Sequence, residues 1–208
     1  MIHHQQAGIT NTPATLAASR KRAAALHIDQ VVVATTTGQT ALDCAQAMPD
    51  MKTIVAVTMH AVDRTIHVKR PSGMVLAPDP ERLAAARAAG VIIYTGVHSL
   101  GGAVSNAVHQ QFGGAQAVDI IAATYKTISV GTKVAVECML MAADAGLLDM
   151  QQPVISLGGW KGGADTAVVL KPAYTHRFFD TRIIEFIALP RLDGDATATD
   201  LLTGRKVK

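Results

Sequence analysis

The residues best suited to chemistry in this 208-residue chain sit in two glycine-punctuated stretches, ATTTGQT at 34–40 and LGGWKGGAD at 157–165. In the first, Thr35, Thr36, Thr37, Gly38, Gln39 and Thr40 lie between an apolar run and a helix-like QTALDCAQAM. Unpaired N–H groups and the positive dipole end favour an anion at a helix start, and threonine hydroxyls add donors. A phosphate is the ligand such a turn suits, while a plain helix cap by Thr37 or Thr40 needs no ligand. In the second, Gly158, Gly159 and Gly162, with Gly163, surround Trp160 and Lys161 and precede Asp165. A strand-to-strand turn would account for two glycines. Four suggest close approach of a ligand's flat face or of another backbone. Asp165 either accepts backbone N–H bonds within that turn or reaches the polar edge of a nucleotide.

Other candidates follow predicted element ends: His60, His98 with Ser99, and the TISVGTK turn carrying Ser129, Gly131 and Lys133. Each alone reads as an ordinary loop residue, and together they suggest one pocket. Lys133 and Glu137, four apart, predict a helix-surface ion pair worth ~0.3 to 0.5 kcal/mol, with Lys133 at a ligand's anionic edge as the alternative. No nucleophile–base pair, metal-ligand cluster or paired carboxylates define a reaction.

Short β-branched runs alternating with alanine-rich segments predict a parallel sheet flanked by helices. Strands are expected at 30–35, 53–58, 91–95, 153–158, 166–171 and 182–189, the first four continuous enough to be covered on both faces. Helices are expected at NTPATLAASRKRAAAL, capped by Thr12 before Pro13, at DPERLAAARAAG, capped by Asp79 and closed by Gly90, and at the largely buried GTKVAVECMLMAADAGLL. A strand order of 3-2-1-4-5 would put the reversal between strands one and four, where both glycine-rich turns leave the carboxyl edge and ligands of open parallel sheets bind. Residues 60–78 read as a long excursion.

Composition narrows the classes. Apolar residues make up 49% and charged residues 17%, so a packed α/β interior is expected and disorder is not. The net charge of +3 is too scattered for nucleic-acid binding. Cys44 and Cys138, far apart among helical alanines and valines, read as free buried thiols of a cytoplasmic protein. No run is long enough to span a bilayer, and the N-terminus lacks a signal-peptide pattern. One domain over 1–190 is expected, with 1–12 as an N-terminal tail bearing inert His3 and His4, and 191–208 as a C-terminal tail.

The stretch HIDQVVVATTTGQTALDCAQAMPDMKTIVAVT resembles the C-terminal, allosteric domain of pyruvate kinase, where such a turn holds the phosphate of a sugar bisphosphate. ATTTGQTA, VTMH, HSLGG, VAVECMLMAADAGLL and GGWKGGADTAVVLKPAYTHRFFD extend the likeness, from Ala34 to Pro190, to free-standing pyruvate kinase C-terminal-domain-like proteins of archaea and bacteria. HSLGG departs from their Ser-Gly pattern and leaves Ser99 as the hydroxyl there. The resemblance implies a three-layer α/β/α sandwich with a final antiparallel strand, and FMN as the cofactor of some members. None of the matching residues belongs to the kinase's catalytic barrel, so kinase activity is not expected. On this reading the chain is a homo-oligomer binding a small phosphorylated ligand, FMN foremost, with Trp160 either stacking on the flavin or anchoring a subunit contact. The alternative is a non-catalytic sugar-phosphate or nucleotide effector sensor, or an oligomeric scaffold.

Overall fold

The computed structural model describes residues 1–59, 68–69, 75–160 and 162–191. In chain order the elements are β1 (Ile2–His4), a 3-10 turn (Ile9–Asn11), α1 (Thr12–Leu26), β2 (Gln30–Ala34), α2 (Gln39–Ala47), β3 (Thr53–Met59), β4 (Val68–Lys69), β5 (Val75–Leu76), α3 (Pro80–Ala88), β6 (Ile92–Gly96), α4 (Ala103–Phe112), α5 (Ala117–Lys126), α6 (Val130–Asp144), β7 (Val154–Gly158), β8 (Thr166–Lys171), a second 3-10 turn (Thr175–Asp180) and β9 (Arg182–Pro190). Seven strands form the main sheet in the order β1-β9-β8-β7-β2-β3-β6, and β4 and β5 pair antiparallel on their own.

Alternate residues of the central strands point to opposite faces, and both faces are covered, which gives three layers. Val31, Val33, Ile155, Leu157, Ala167 and Val169 pack with Leu16, Cys44, Met48 and Ala86 from α1, α2 and α3. Val32, Val55, Val57, Val154, Val168 and Leu170 pack with Ala122, Val136, Met139 and Leu140 from α5 and α6. Burial pushes both thiols up, Cys44 to about 12, and both cysteines are free. Buried Gln30 stitches the opposite edge of the sheet, donating to the carbonyls of Asp149, Gln152 and Pro153 and accepting the Asp149 N–H.

The expected run of strands is present, β6-β3-β2-β7-β8, with β2 and β7 side by side and parallel in register Val33 to Leu157. The final strand β9 pairs antiparallel with β8, because β8 is itself reversed between β7 and β9. Asp79 caps α3 as expected, accepting the N–H groups of Glu81 at 3.0 Å and Arg82 at 3.2 Å, and Gly90 follows it at φ 86°. The 60–78 excursion is described only at β4, β5 and residues 77–78; the rest of it and residues 192–208 lie outside the described residues.

Four expectations are corrected. The N-terminal residues are not a tail: Ile2–His4 pairs parallel with β9, and the Arg191 N–H extends the pairing to the His4 carbonyl at 2.8 Å. Thr12 is the first helical residue and not the cap, which is Asn11. Strand 91–95 is not covered on both faces, since β6 is the sheet edge and Ile92 is exposed. Two helices, α4 and α5, stand where no helix is expected, and Gln116 and Asp119 form a capping box at α5. Among the described residues no helix is long and apolar enough to cross a membrane.

His4 is buried on β1, its Nε2 2.9 Å from the Thr15 hydroxyl of α1. Burial holds its imidazole below the ordinary value of 6.5. The unfolded chain therefore takes up the proton first, so this contribution to stability is complete above that value and is lost as pH falls below it. The melting temperature should fall from about pH 7.5 to about pH 5.5, and His4→Gln should remove part of that fall. Identical slopes for the two proteins would refute the assignment.

Candidate functional site

Because β2, β3, β6 and β7 run parallel, their carboxyl ends share one edge, and β8 starts there opposite Gly158. Neighbouring strands lie about 4.8 Å apart, so the turns that follow β2 and β7 begin side by side.

The turn after β2 is fastened on two sides. The Thr35 N–H continues the ladder to the Val57 carbonyl at 2.9 Å, the Thr58 hydroxyl donates to the Thr36 carbonyl at 3.5 Å, and the Asp79 N–H of the α3 cap donates to the Thr37 carbonyl at 3.2 Å. Within the turn the Thr35 hydroxyl accepts the Gly38 N–H at 3.0 Å and the Thr37 hydroxyl accepts the Gln39 N–H at 3.3 Å. Capping thus explains Thr35 and Thr37, with Gly38 at φ 96° as the N-cap of α2. Gln39 bonds Asp43 instead of facing a ligand. Thr36 and Thr40 are different: neither hydroxyl has a protein partner among the described residues, and neither is a fully buried atom, so both are open to solvent. The N–H groups of Thr40 and Ala41, second and third in the helix, have no intrahelical acceptor.

Gly38 has a reason unrelated to a ligand. Besides its positive φ, a Cβ there would stand 2.9 Å from the Arg82 Cβ. The sequence gives no sign of this contact, which brings a basic residue, Arg82, against the threonine turn. Its guanidinium Nε is 3.2 Å from Asp79 and the side chain is half exposed.

The turn after β7 is the β7–β8 connection. Asp165 is its hub: the backbone N–H donates to the Gly158 carbonyl at 3.1 Å, and the carboxylate accepts the Trp160 N–H at 3.3 Å, the Thr166 hydroxyl at 2.9 Å and the distant Gly8 N–H at 2.9 Å. Burial raises its pKa, and these hydrogen bonds oppose the rise. The glycines here answer to backbone approach. A Cβ on Gly159 would stand 2.5 Å from the Gly163 carbonyl, one on Gly158 2.8 Å from the Ala135 N, and Gly162 has φ 92°. Trp160 is half-buried, and Lys161 lies outside the described residues, as does His60 beyond β3.

The start of α6 is closed by protein. Ser129 is buried, its hydroxyl capping the Thr132 N–H at 2.8 Å and meeting the Thr166 hydroxyl at 3.1 Å, and a Cβ on Gly131 would stand 2.8 Å from the Asp165 Oδ1. Lys133 and Glu137 are not the surface pair expected. Their side chains are 10% and 4% exposed, 2.5 Å apart, and Glu137 Oε1 also accepts the Leu100 N–H at 2.7 Å. The pair therefore holds the 97–102 loop. Within that loop His98 is half-buried, whereas Ser99 lines a separate crevice of about 200 Å³ with Val118, Ile121, Leu140 and Phe178. The edge thus gathers residues 35–40, 158–160 and 162–165, with Ser129, Gly131 and Lys133 serving as its packed floor.

Removing one member of a buried ion pair leaves a charge without compensation, at a cost of about 3 to 5 kcal/mol. Lys133→Met should cost that much in denaturant unfolding, and adding Glu137→Gln should recover part of it. Asp50→Asn, which breaks the exposed pair with Arg20, should cost less than about 1 kcal/mol. Equal losses for Lys133→Met and Asp50→Asn would contradict the burial of the pair.

The architecture and the turn that opens α2 meet in one comparison. The family model "Pyruvate kinase, alpha/beta domain" matches residues 13–170, which run from the first turn of α1 almost to the end of β8 and take in both turns at the carboxyl edge. With well over half of its length matched and the strand order found, this chain belongs to the pyruvate kinase alpha/beta domain family.

Proposed function

We propose that this chain binds a small phosphorylated ligand, with FMN the first candidate, at the carboxyl edge between β2 and β7. The observation that carries the reading is the turn at 35–40, where the hydroxyls of Thr36 and Thr40 have no partner among the described residues beside a helix N-terminus. Hydroxyl and N–H donors suit a phosphate, and charge-assisted bonds to it are stronger than neutral ones. Arg82 packs its Cβ on Gly38 of that turn and, released from its exposed pair with Asp79, would supply the cation. Support for the ring is narrower: half-buried Trp160, in the adjacent loop, offers an aromatic face. Bound FMN would supply redox chemistry that no side-chain constellation among the described residues provides. The residues themselves bind and orient: Thr36, Thr40 and Arg82 take the phosphate, while the 158–165 loop bounds the organic part.

FMN should bind more tightly than riboflavin, which lacks the phosphate. Thr37→Glu sets a carboxylate over the N–H groups the phosphate would use, yet an acid at a helix N-terminus is tolerated or stabilises by ~0.3 to 1 kcal/mol. Melting temperatures with and without FMN should therefore show an intact variant that has lost the FMN shift. If the variant keeps the full wild-type shift, the turn is not the phosphate site. Colourless protein stabilised by a sugar phosphate and not by FMN would assign the same turn to an effector.

A further inference from the structure

The first dozen residues reach across the chain to the glycine-rich loop, and they do so three times. The Gly8 N–H donates to Asp165 Oδ2 at 2.9 Å, the same oxygen that accepts the Trp160 N–H. The Thr12 hydroxyl accepts the Ala164 N–H at 3.0 Å while donating to the Ile9 carbonyl at 2.8 Å. Gly163, at φ 68°, lies so close to this segment that a Cβ would stand 2.8 Å from the Ile9 Cα. These bonds are buried, and Thr12 and Asp165 are 3% and 1% exposed. Capping cannot explain Thr12, because Asn11 occupies the cap and the Thr12 hydroxyl is committed to the loop.

Thr12 is fixed as the first residue of α1, but the segment before it, which carries Gly8, is thinly anchored. Its strand, β1, is three residues long and at the sheet edge, where local opening costs least. It is held by its pairing with β9, by the His4 contact to Thr15 and by the Arg191 N–H.

We propose that residues 1–12 form a clamp that sets the shape of the glycine-rich loop, with Thr12 and Asp165 as its positioning residues, so that docking of the N-terminal strand and binding at the loop are coupled. The binding half rests on the phosphate-site reading above; the clamp itself does not. Without the Thr12 oxygen the Ala164 N–H is buried with no acceptor, and without the Asp165 carboxylate Gly8 and Trp160 are no longer tied to one atom. Coupling is reciprocal: a ligand that favours the loop shape these bonds hold must also hold β1 in place, and release of β1 must weaken the ligand.

Trp160 is the chain's only tryptophan, so its emission reports on the loop with or without a ligand. Thr12→Val keeps the side-chain shape and removes the acceptor; Thr12→Ser restores it. The valine variant should shift Trp160 emission and weaken FMN about fivefold or more, as expected for one stranded buried N–H, while the serine variant matches wild type. Asp165→Asn should shift the emission as well. A valine variant that melts lower but keeps wild-type emission and FMN affinity would overturn the clamp. If the wild type takes up no FMN, the FMN assignment fails and emission alone decides the clamp. Should Thr12→Val not fold, amide exchange of the wild type decides: Gly8 and Ala164 should exchange in one concerted opening, and unrelated rates would overturn the proposal.

Discussion

Backbone meets backbone where the first turn of α6 lies on the end of β7, and the rest of this edge is arranged around that contact. A Cβ on Gly158 would collide with the Gly131 carbonyl, and one on Gly131 would collide with Thr166. Helix and β7 approach one another here backbone to backbone, β8 meets the helix through the Thr166 and Asp165 side chains at Gly131, and the Ser156 hydroxyl, donating to the Ala135 carbonyl at 2.7 Å, fixes the helix one step further along. With α6 seated so low, its second turn is inside the protein. Lys133 and Glu137 consequently face inward and must satisfy each other, and Glu137 takes up the Leu100 N–H as well. The 97–102 loop follows from a helix position chosen by two glycines.

The same contact explains why the edge divides into a sealed part and an open part. Over β7 and β8 the polar groups are used up: Ser129, Thr132, Thr166 and Asp165 satisfy one another and the backbone in a connected, buried network. Such a network rigidifies its surroundings when every member is paired. Over β2 the hydroxyls of Thr36 and Thr40 are used by no described residue and stay open to solvent. A rigid floor beside a turn with open donors is how a preorganised binding edge differs from a merely well-capped one.

The fold was largely legible because it rests on long-period signals. Strand runs, Asp79 and Gly90 around α3, and the reversal between strands one and four each have a local cause that survives packing. The site was legible only in outline. The threonine turn and the glycine loop were named, but the inward face of Lys133 depends on how low α6 sits, which i, i+4 spacing cannot express. The strand at Ile2–His4 was missed because three residues carry no periodicity, and its partner β9 lies at the other end of the described chain. Arg82 reaches the turn through the packing of α3 on Gly38, a contact between residues 44 apart in sequence.

Glycine was the least decisive of the signals, for a physical reason. Absence of a Cβ serves equally to admit a ligand, another backbone or a positive φ, so a glycine-rich loop announces close approach without saying by what. Here the approach at Gly38, Gly158, Gly159 and Gly163 is by Arg82, α6, the loop itself and the Ile9–Asn11 turn with Thr12. Hydroxyls are more informative, because each donor and acceptor must be matched once buried. Thr35, Thr37 and Thr12 are matched to backbone N–H groups and are thereby accounted for as structure. The case for a ligand narrows to the threonines that remain unmatched, and it is stronger there than it was for the whole glycine- and threonine-rich edge.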